Sequence, residues 1–105
     1  MIREPSFFIL TALVKAPLHG YGILKSVEQL SRGRVKLSAG TLYAALDRLS
    51  NEGLLRDGGS EIVDGRLRKQ YRITNEGLET LRESAKQFSD NAKTARNQLA
   101  QVSRS

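Results

Sequence analysis

The fold is decided by Leu37-Ser38-Ala39-Gly40-Thr41-Leu42-Tyr43-Ala44-Ala45-Leu46-Asp47-Arg48-Leu49, followed by Ser50-Asn51-Glu52 and Gly53-Leu54-Leu55. Ser38 suits the N-cap of a helix, since its hydroxyl can accept a hydrogen bond from an orphan backbone N–H. Leu42, Ala45, Leu46 and Leu49 then recur at helical spacing on one face, and Gly53 suits the position just past the end. The opposite face is made of Gly40, Thr41, Tyr43, Ala44 and Asp47. These residues are small or hydrogen-bonding, without the long Lys/Glu pairs that solvate an ordinary surface helix. Such a face can approach another surface closely and read it, which is what a recognition helix does in the major groove of DNA.

Working outward toward the N-terminus, Arg32, Arg34 and Lys36 form a basic connector, and Ser31-Arg32-Gly33 closes a preceding helix. That helix starts at Leu18-His19-Gly20-Tyr21-Gly22 and carries an apolar stripe of Ile23, Leu24, Val27 and Leu30. His19 is the only histidine and has no carboxylate at ligand spacing, so it reads as a cap or packing residue. Before it, Pro5 opens a first helix that Ala16-Pro17 should stop. Phe7, Phe8, Ile9, Leu10, Leu13 and Val14 are apolar on more than one side of that helix. Two neighbours are therefore expected: the local core and a second subunit.

Toward the C-terminus the pattern changes from helical to alternating. Leu54-Leu55-Arg56 begins a short strand, which Asp57-Gly58-Gly59-Ser60 should break, and Asp64-Gly65 is a second breaker. In Arg66-Leu67-Arg68-Lys69-Gln70-Tyr71-Arg72-Ile73, alternation turns Leu67, Tyr71 and Ile73 to the core and Arg66, Arg68, Gln70 and Arg72 outward. Two strands with a Gly-rich tip behind a reading helix make a β-wing. Its return strand carries Arg66, Arg68, Lys69 and Arg72 and no acid. Cations also protect edge strands from aggregation, but after a reading helix they suit phosphate or minor-groove contact.

Thr74 can cap a last helix from Asn75. Leu78, Leu81, Ala85, Phe88, Ala92, Ala95, Leu99 and Val102 follow in steps of three and four, a heptad seam. A helix of about 28 residues would be a rod about 42 Å long, more than the small head could cover. The seam therefore asks for a partner, most simply a second copy of the chain. Its small residues make a weak coil, which helix 1 would complete. The expected organisation is a head over residues 1–74 and a dimerisation helix with a frayed tail over 75–105.

Composition bounds the function. The 105 residues carry a formal charge of +6. Residues 1–74 hold 12 Lys/Arg against 7 Asp/Glu, and residues 75–105 hold 5 against 4. The excess sits in the head, where a polyanion is the expected partner. No cysteine is present, which removes disulfides and thiolate metal sites, and a reducing cytoplasm is the expected home. No apolar run approaches the ~20 residues of a membrane span, and the start lacks the pattern of a secretory signal. With one histidine, no nucleophile–His–acid set and no phosphate loop, neither catalysis nor a metal or cofactor is expected. A pure coiled-coil interaction module would account for residues 75–102 but leave the reading face and basic wing unused.

Helix, helix, reading helix, wing and coil is the order of a winged helix-turn-helix with an added dimerisation helix. The chain resembles the PadR family of bacterial and archaeal transcriptional regulators in three motifs. These are His19-Gly20-Tyr21-Gly22-Ile23; Leu37-Ser38-Ala39-Gly40-Thr41-Leu42-Tyr43 with Leu46, Arg48-Leu49 and Glu52-Gly53-Leu54; and Gly65-Arg66-Leu67-Arg68-Lys69-Gln70-Tyr71 with Ile73-Thr74 and Gly77. The resemblance implies a homodimer, mostly a repressor in this family, on an inverted-repeat operator. It implies Ser38, Gly40, Thr41 and Tyr43 in the major groove, Arg66, Arg68 and Lys69 as wing contacts, and Tyr21 at the DNA backbone. Arg48 is expected to brace the head through an acidic neighbour. With room for a single C-terminal helix, the chain looks like the short form of the family. Some short relatives hold a flat apolar effector between subunits near aromatic residues. Here only Phe7, Phe8 and Phe88 could line such a pocket, with core packing as their first reading. The expected dimer interface comprises Phe7, Phe8, Leu78, Leu81, Ala85, Phe88, Ala92, Ala95 and Leu99.

Overall fold

A computed structural model describes residues 2–103. Its elements run α1 (Glu4–Ala12), β1 (Leu18–His19), α2 (Gly20–Leu30), α3 (Ala39–Asn51), β2 (Leu55–Val63), β3 (Arg66–Ile73) and α4 (Asn75–Ser103). The fold is mainly α, with a three-stranded antiparallel sheet in the order β1-β3-β2. Ile9, Leu10 and Leu13 from α1 and its end, Ile23 and Val27 from α2, and Leu42, Leu46 and Leu49 from α3 make the core, which Tyr71 and Ile73 of β3 close from the sheet side.

The caps follow from the side chains. Ser38 Oγ accepts from Thr41 N at 3.1 Å and starts α3. Gly53 ends it with φ +80°, the left-handed conformation that glycine adopts without a Cβ penalty. Thr74 ties the next junction. Its Oγ1 accepts from Gly77 N at 3.0 Å and donates to the Gly53 carbonyl at 2.7 Å. His19 caps α2, with Nδ1 accepting from Gly22 N at 3.1 Å.

Several expectations need correction. Helix α1 stops at Ala12, with Leu13 as its C-cap, rather than at Ala16-Pro17. Leu13 is drawn into the core there while Val14, Lys15 and Ala16 turn out to solvent. Leu18 and His19 are a strand rather than the start of α2, because they pair with Tyr71 and Gln70. Leu30 is exposed, and buried Ser31 takes the inner position, with its Oγ accepting from Val35 N at 2.9 Å. Asp57-Gly58-Gly59 does not break β2. It forms a bulge, with Asp57 Oδ1 accepting from Gly59 N at 2.7 Å, and pairing continues to Val63↔Arg66. The hairpin tip is the two-residue turn Asp64-Gly65, both at positive φ (52° and 77°), as a type I′ turn requires. Leu67 is 73% exposed rather than in the core, because the ribbon outruns the head.

Helix α4 leaves the head in the same way. Gly77 is buried and Leu78 and Leu81 pack on the core, whereas Ala85, Ala95, Leu99 and Val102 are exposed. The molecule is accordingly elongated, 63 × 27 × 22 Å. Of the tail expected to fray, Gln101 and Val102 continue the helix, and Arg104 and Ser105 lie outside the described residues.

Candidate nucleic-acid interface

Three elements bring Tyr21, Tyr43, Arg68 and Lys69 to one groove, which Ser38, Gly40, Thr41 and Arg66 do not line. The exposed N-terminal turn of α3 presents Ser38, Gly40 and Thr41, with Tyr43 one turn on and 45% exposed. The Ser38 hydroxyl donates to Thr41 Oγ1 at 2.9 Å, so Thr41 keeps its own O–H for an outside acceptor. Gly40 is helical and a Cβ built on it would meet nothing within 4 Å. The fold therefore makes no demand for glycine at that position.

The start of α2 lies beside this turn. Tyr21 is 64% exposed, with Lys25 Nζ 5.5 Å from its ring centroid. Gly20 is buried under Tyr43: a Cβ there would come within 2.8 Å of Tyr43 Cζ. The wing forms the other wall of a groove of ≈ 430 Å³, in which Tyr21, Ala39 and Tyr43 face Leu67, Arg68 and Lys69.

The electrostatics of this groove are one-sided. No acidic group lies within ion-pair distance of Arg66, Arg68, Lys69 or Arg72 among the described residues. Glu61 stands across the ladder from Arg68, yet its carboxylate lies 3.4 Å from His19 Nε2. Lys69 Nζ sits 5.2 Å from the Tyr71 ring centroid. Burial is the main cause that raises the Tyr71 phenol pKa, and Tyr43, Asp47 and Asp57 add to it. The connector is less open, since Lys36 pairs with Glu28 at 3.8 Å and Arg34 Nε donates to the Ser31 carbonyl at 3.2 Å. Arg48 is a brace: it donates to Ser6 Oγ at 2.8 Å and lies 3.7 Å from Glu52.

Phe7, Phe8 and Phe88 meet outside this groove. Phe7 packs edge-on against Phe8 (centroids 5.6 Å apart) and Phe88 (5.1 Å). With Ile2, Arg3 and Glu4 these rings line a cavity of ≈ 520 Å³. Among the described residues no group of His, Asp and Glu could hold a metal ion, and no helix is long and apolar enough to cross a membrane.

A helix-turn-helix formed by α2 and α3, flanked by the β2–β3 wing, defines a winged-helix protein. The chain belongs to the PadR-like family of transcriptional regulators, whose family model matches residues 9–83. It is 31% identical over 88 residues to the transcriptional regulator YqjI of Escherichia coli, an alignment covering 80% of this chain and 39% of that protein. The chain thus spans about two fifths of the length of that curated relative. Among solved structures it is similar to a PadR family regulator from Clostridium difficile, with 33% identity, TM-score 0.73, and 92% of this chain and 98% of that one covered. Bacillus subtilis PadR, solved in complex with operator DNA, shares the fold at 24% identity and TM-score 0.68, covering 79% of this chain and 47% of that one.

Proposed function

We propose that this chain is a sequence-specific DNA-binding repressor that occupies an inverted-repeat operator as a homodimer. One observation carries the reading. Ala39 and Tyr43, which flank Gly40 and Thr41 on the exposed first turn of α3, line one groove with the wing cations Arg68 and Lys69, and among the described residues no acidic group lies within ion-pair distance of those cations. In this reading Ser38, Gly40, Thr41 and Tyr43 enter the major groove, where hydroxyls bond base edges or phosphate and the Tyr43 ring meets thymine methyls. Arg66, Arg68 and Lys69 engage the flanking backbone and minor groove, and Tyr21 the phosphates beside α2. Residues 1–74 act as the reading head. Residues from 75 onward dimerise, through Leu78, Leu81, Ala85, Phe88, Ala92, Ala95 and Leu99 together with Phe7 and Phe8 of α1. A helix of 29 residues is about 43 Å long, and its small seam residues Ala85, Ala92 and Ala95 let a partner helix come close.

The test is fluorescence anisotropy on two labelled duplexes across a salt series, one from the DNA upstream of the protein's own gene and one a scramble of equal composition. Tighter, salt-sensitive binding to the upstream duplex supports the reading. An absence of binding at low salt overturns it.

A second reading rests on the Phe7–Phe8–Phe88 cavity, which offers an aromatic-walled site for a small apolar effector that would set DNA affinity. Saturable enhancement of a hydrophobic dye, lost in Phe88→Ala while helicity is kept, supports that role. Unchanged dye binding in the variant leaves the three rings as packing only.

A further inference from the structure

The far end of the wing carries a feature that charge does not account for. β1 pairs with β3 only at Tyr71 and Gln70, so from Ser60↔Lys69 outward the hairpin is a bare two-stranded ribbon. One pair short of its turn, Ile62 stands directly across from Leu67. They are 75% and 73% exposed, among the most exposed large apolar side chains described. Alternation puts them on the face that carries Lys69 and Tyr71, and Leu67 itself lines the groove opposite Tyr43. Cross-strand contact alone does not require aliphatic side chains there, since β-branched threonine serves a ribbon as well.

We propose that Ile62 and Leu67 form an apolar wedge that enters the minor groove of the bound duplex beside the α3 site. The inference rests on the DNA-binding reading above and adds a second source of sequence preference to it. Charge complementarity selects the occupant. The minor groove is a strip of deoxyribose C–H and base edges between two rows of phosphates, and the ribbon end is an aliphatic pair with Lys69 on its own face and Arg66 and Arg68 on the other face of the same strand. Two acids share the ribbon end: Asp64 occupies the turn itself, and the Glu61 carboxylate lies 3.4 Å from His19 Nε2. A second copy of a chain with formal charge +6 offers the same cations no such complement. Aliphatic wedges widen and unstack base steps, which costs least at flexible pyrimidine–purine steps such as TA, whose minor groove also lacks the guanine 2-amino group, so the flank is read by shape and deformability.

The test uses a duplex that the wild-type protein selects from a randomised pool, and the double variant Ile62→Thr/Leu67→Thr, which keeps β propensity. The expected result is binding about tenfold weaker with an unchanged salt slope, because apolar burial and not phosphate contact is lost. Flanking A·T pairs exchanged for inosine·cytosine should keep wild-type affinity, and exchange for G·C should lose it. Inosine·cytosine lacks the guanine 2-amino group and so presents an A·T-like minor groove under a G·C-like major groove. Equal binding of the variant and wild type overturns the inference alone. So does an inosine·cytosine flank that behaves like G·C, or a changed sedimentation state of the DNA-free variant. Wild-type protein that fails to prefer its selected duplex over a scramble overturns the DNA-binding reading with it.

Discussion

Replacing Gly40 with alanine should make the protein more stable and a worse DNA binder. Gly40 lies two residues past the Ser38 cap, exposed and in helical conformation, and a Cβ built on it reaches no atom within 4 Å. Glycine in a helix is disfavoured relative to alanine by about 0.5–1 kcal/mol, and nothing in the fold opposes recovering that amount here. For a domain of this size the gain corresponds to roughly 2–5 °C in Tm. The same methyl would stand on the face proposed to meet base edges. A group forced into a well-packed contact costs about 1–3 kcal/mol, so duplex affinity should fall about 5- to 150-fold. Thermal denaturation followed at the helix band and anisotropy on the selected duplex read the two effects separately. Raised Tm with unchanged affinity would refute the close approach of α3 to DNA. Lowered Tm would refute the claim that the fold has no use for this glycine.

Gly77→Ala should act in the opposite direction on stability, because its Cβ would strike the Leu54 carbonyl and come within 2.6 Å of Ile73 Cγ1. A net loss of about 1–3 kcal/mol is expected from that overpacking, and a Tm equal to wild type would refute it. Arg68→Ala should weaken all duplexes alike and make the salt slope shallower by about one unit, whereas a sequence-selective loss would assign Arg68 to base reading. The raised pKa of Tyr71 gives a pH signature. The folded state keeps the phenol proton where the unfolded chain has begun to lose it, so this stabilisation is complete below the ordinary value of 10.0 and falls as pH rises beyond it. Urea titrations of wild type and Tyr71→Phe should diverge only on that alkaline side, and a difference flat through pH 10 would contradict the assignment.

Sequence patterns located what local chemistry controls. Helix α3 was legible because a cap, four apolar positions at helical spacing and a terminal glycine agree, and Thr74 announced α4 in the same way. The wing's existence and its cations were legible too. Strand β1 was not, since two residues carry no periodicity and Leu18 is a strand only because Tyr71 lies beside it. The Gly58-Gly59 pair reads equally well as a tip or as a bulge. The surroundings decide it: a Cβ on Gly58 would lie 3.0 Å from both Pro17 Cβ and the Tyr71 backbone, so this stretch runs against the sheet rather than into solvent. Leu67 misled because alternation reports which face a side chain takes, not how far the core extends beneath it.

The coupling of the first two motifs was also hidden, and it bears on how the proposed interface reads. Gly20 and Tyr43 are 23 residues apart, yet the Tyr43 phenol occupies the space a side chain at 20 would fill. Glycine at the start of α2 therefore serves α3: it gives the tyrosine a seat. A half-exposed tyrosine would otherwise sample several rotamers and lose that freedom on binding. One held against the α2 backbone meets a duplex already oriented, which lowers the ordering cost of association. The same contact fixes the spacing between the two helices, so the starts of α2 and α3, proposed to face phosphates and bases, are set by one packing event. The two reading-head motifs are two halves of a single joint.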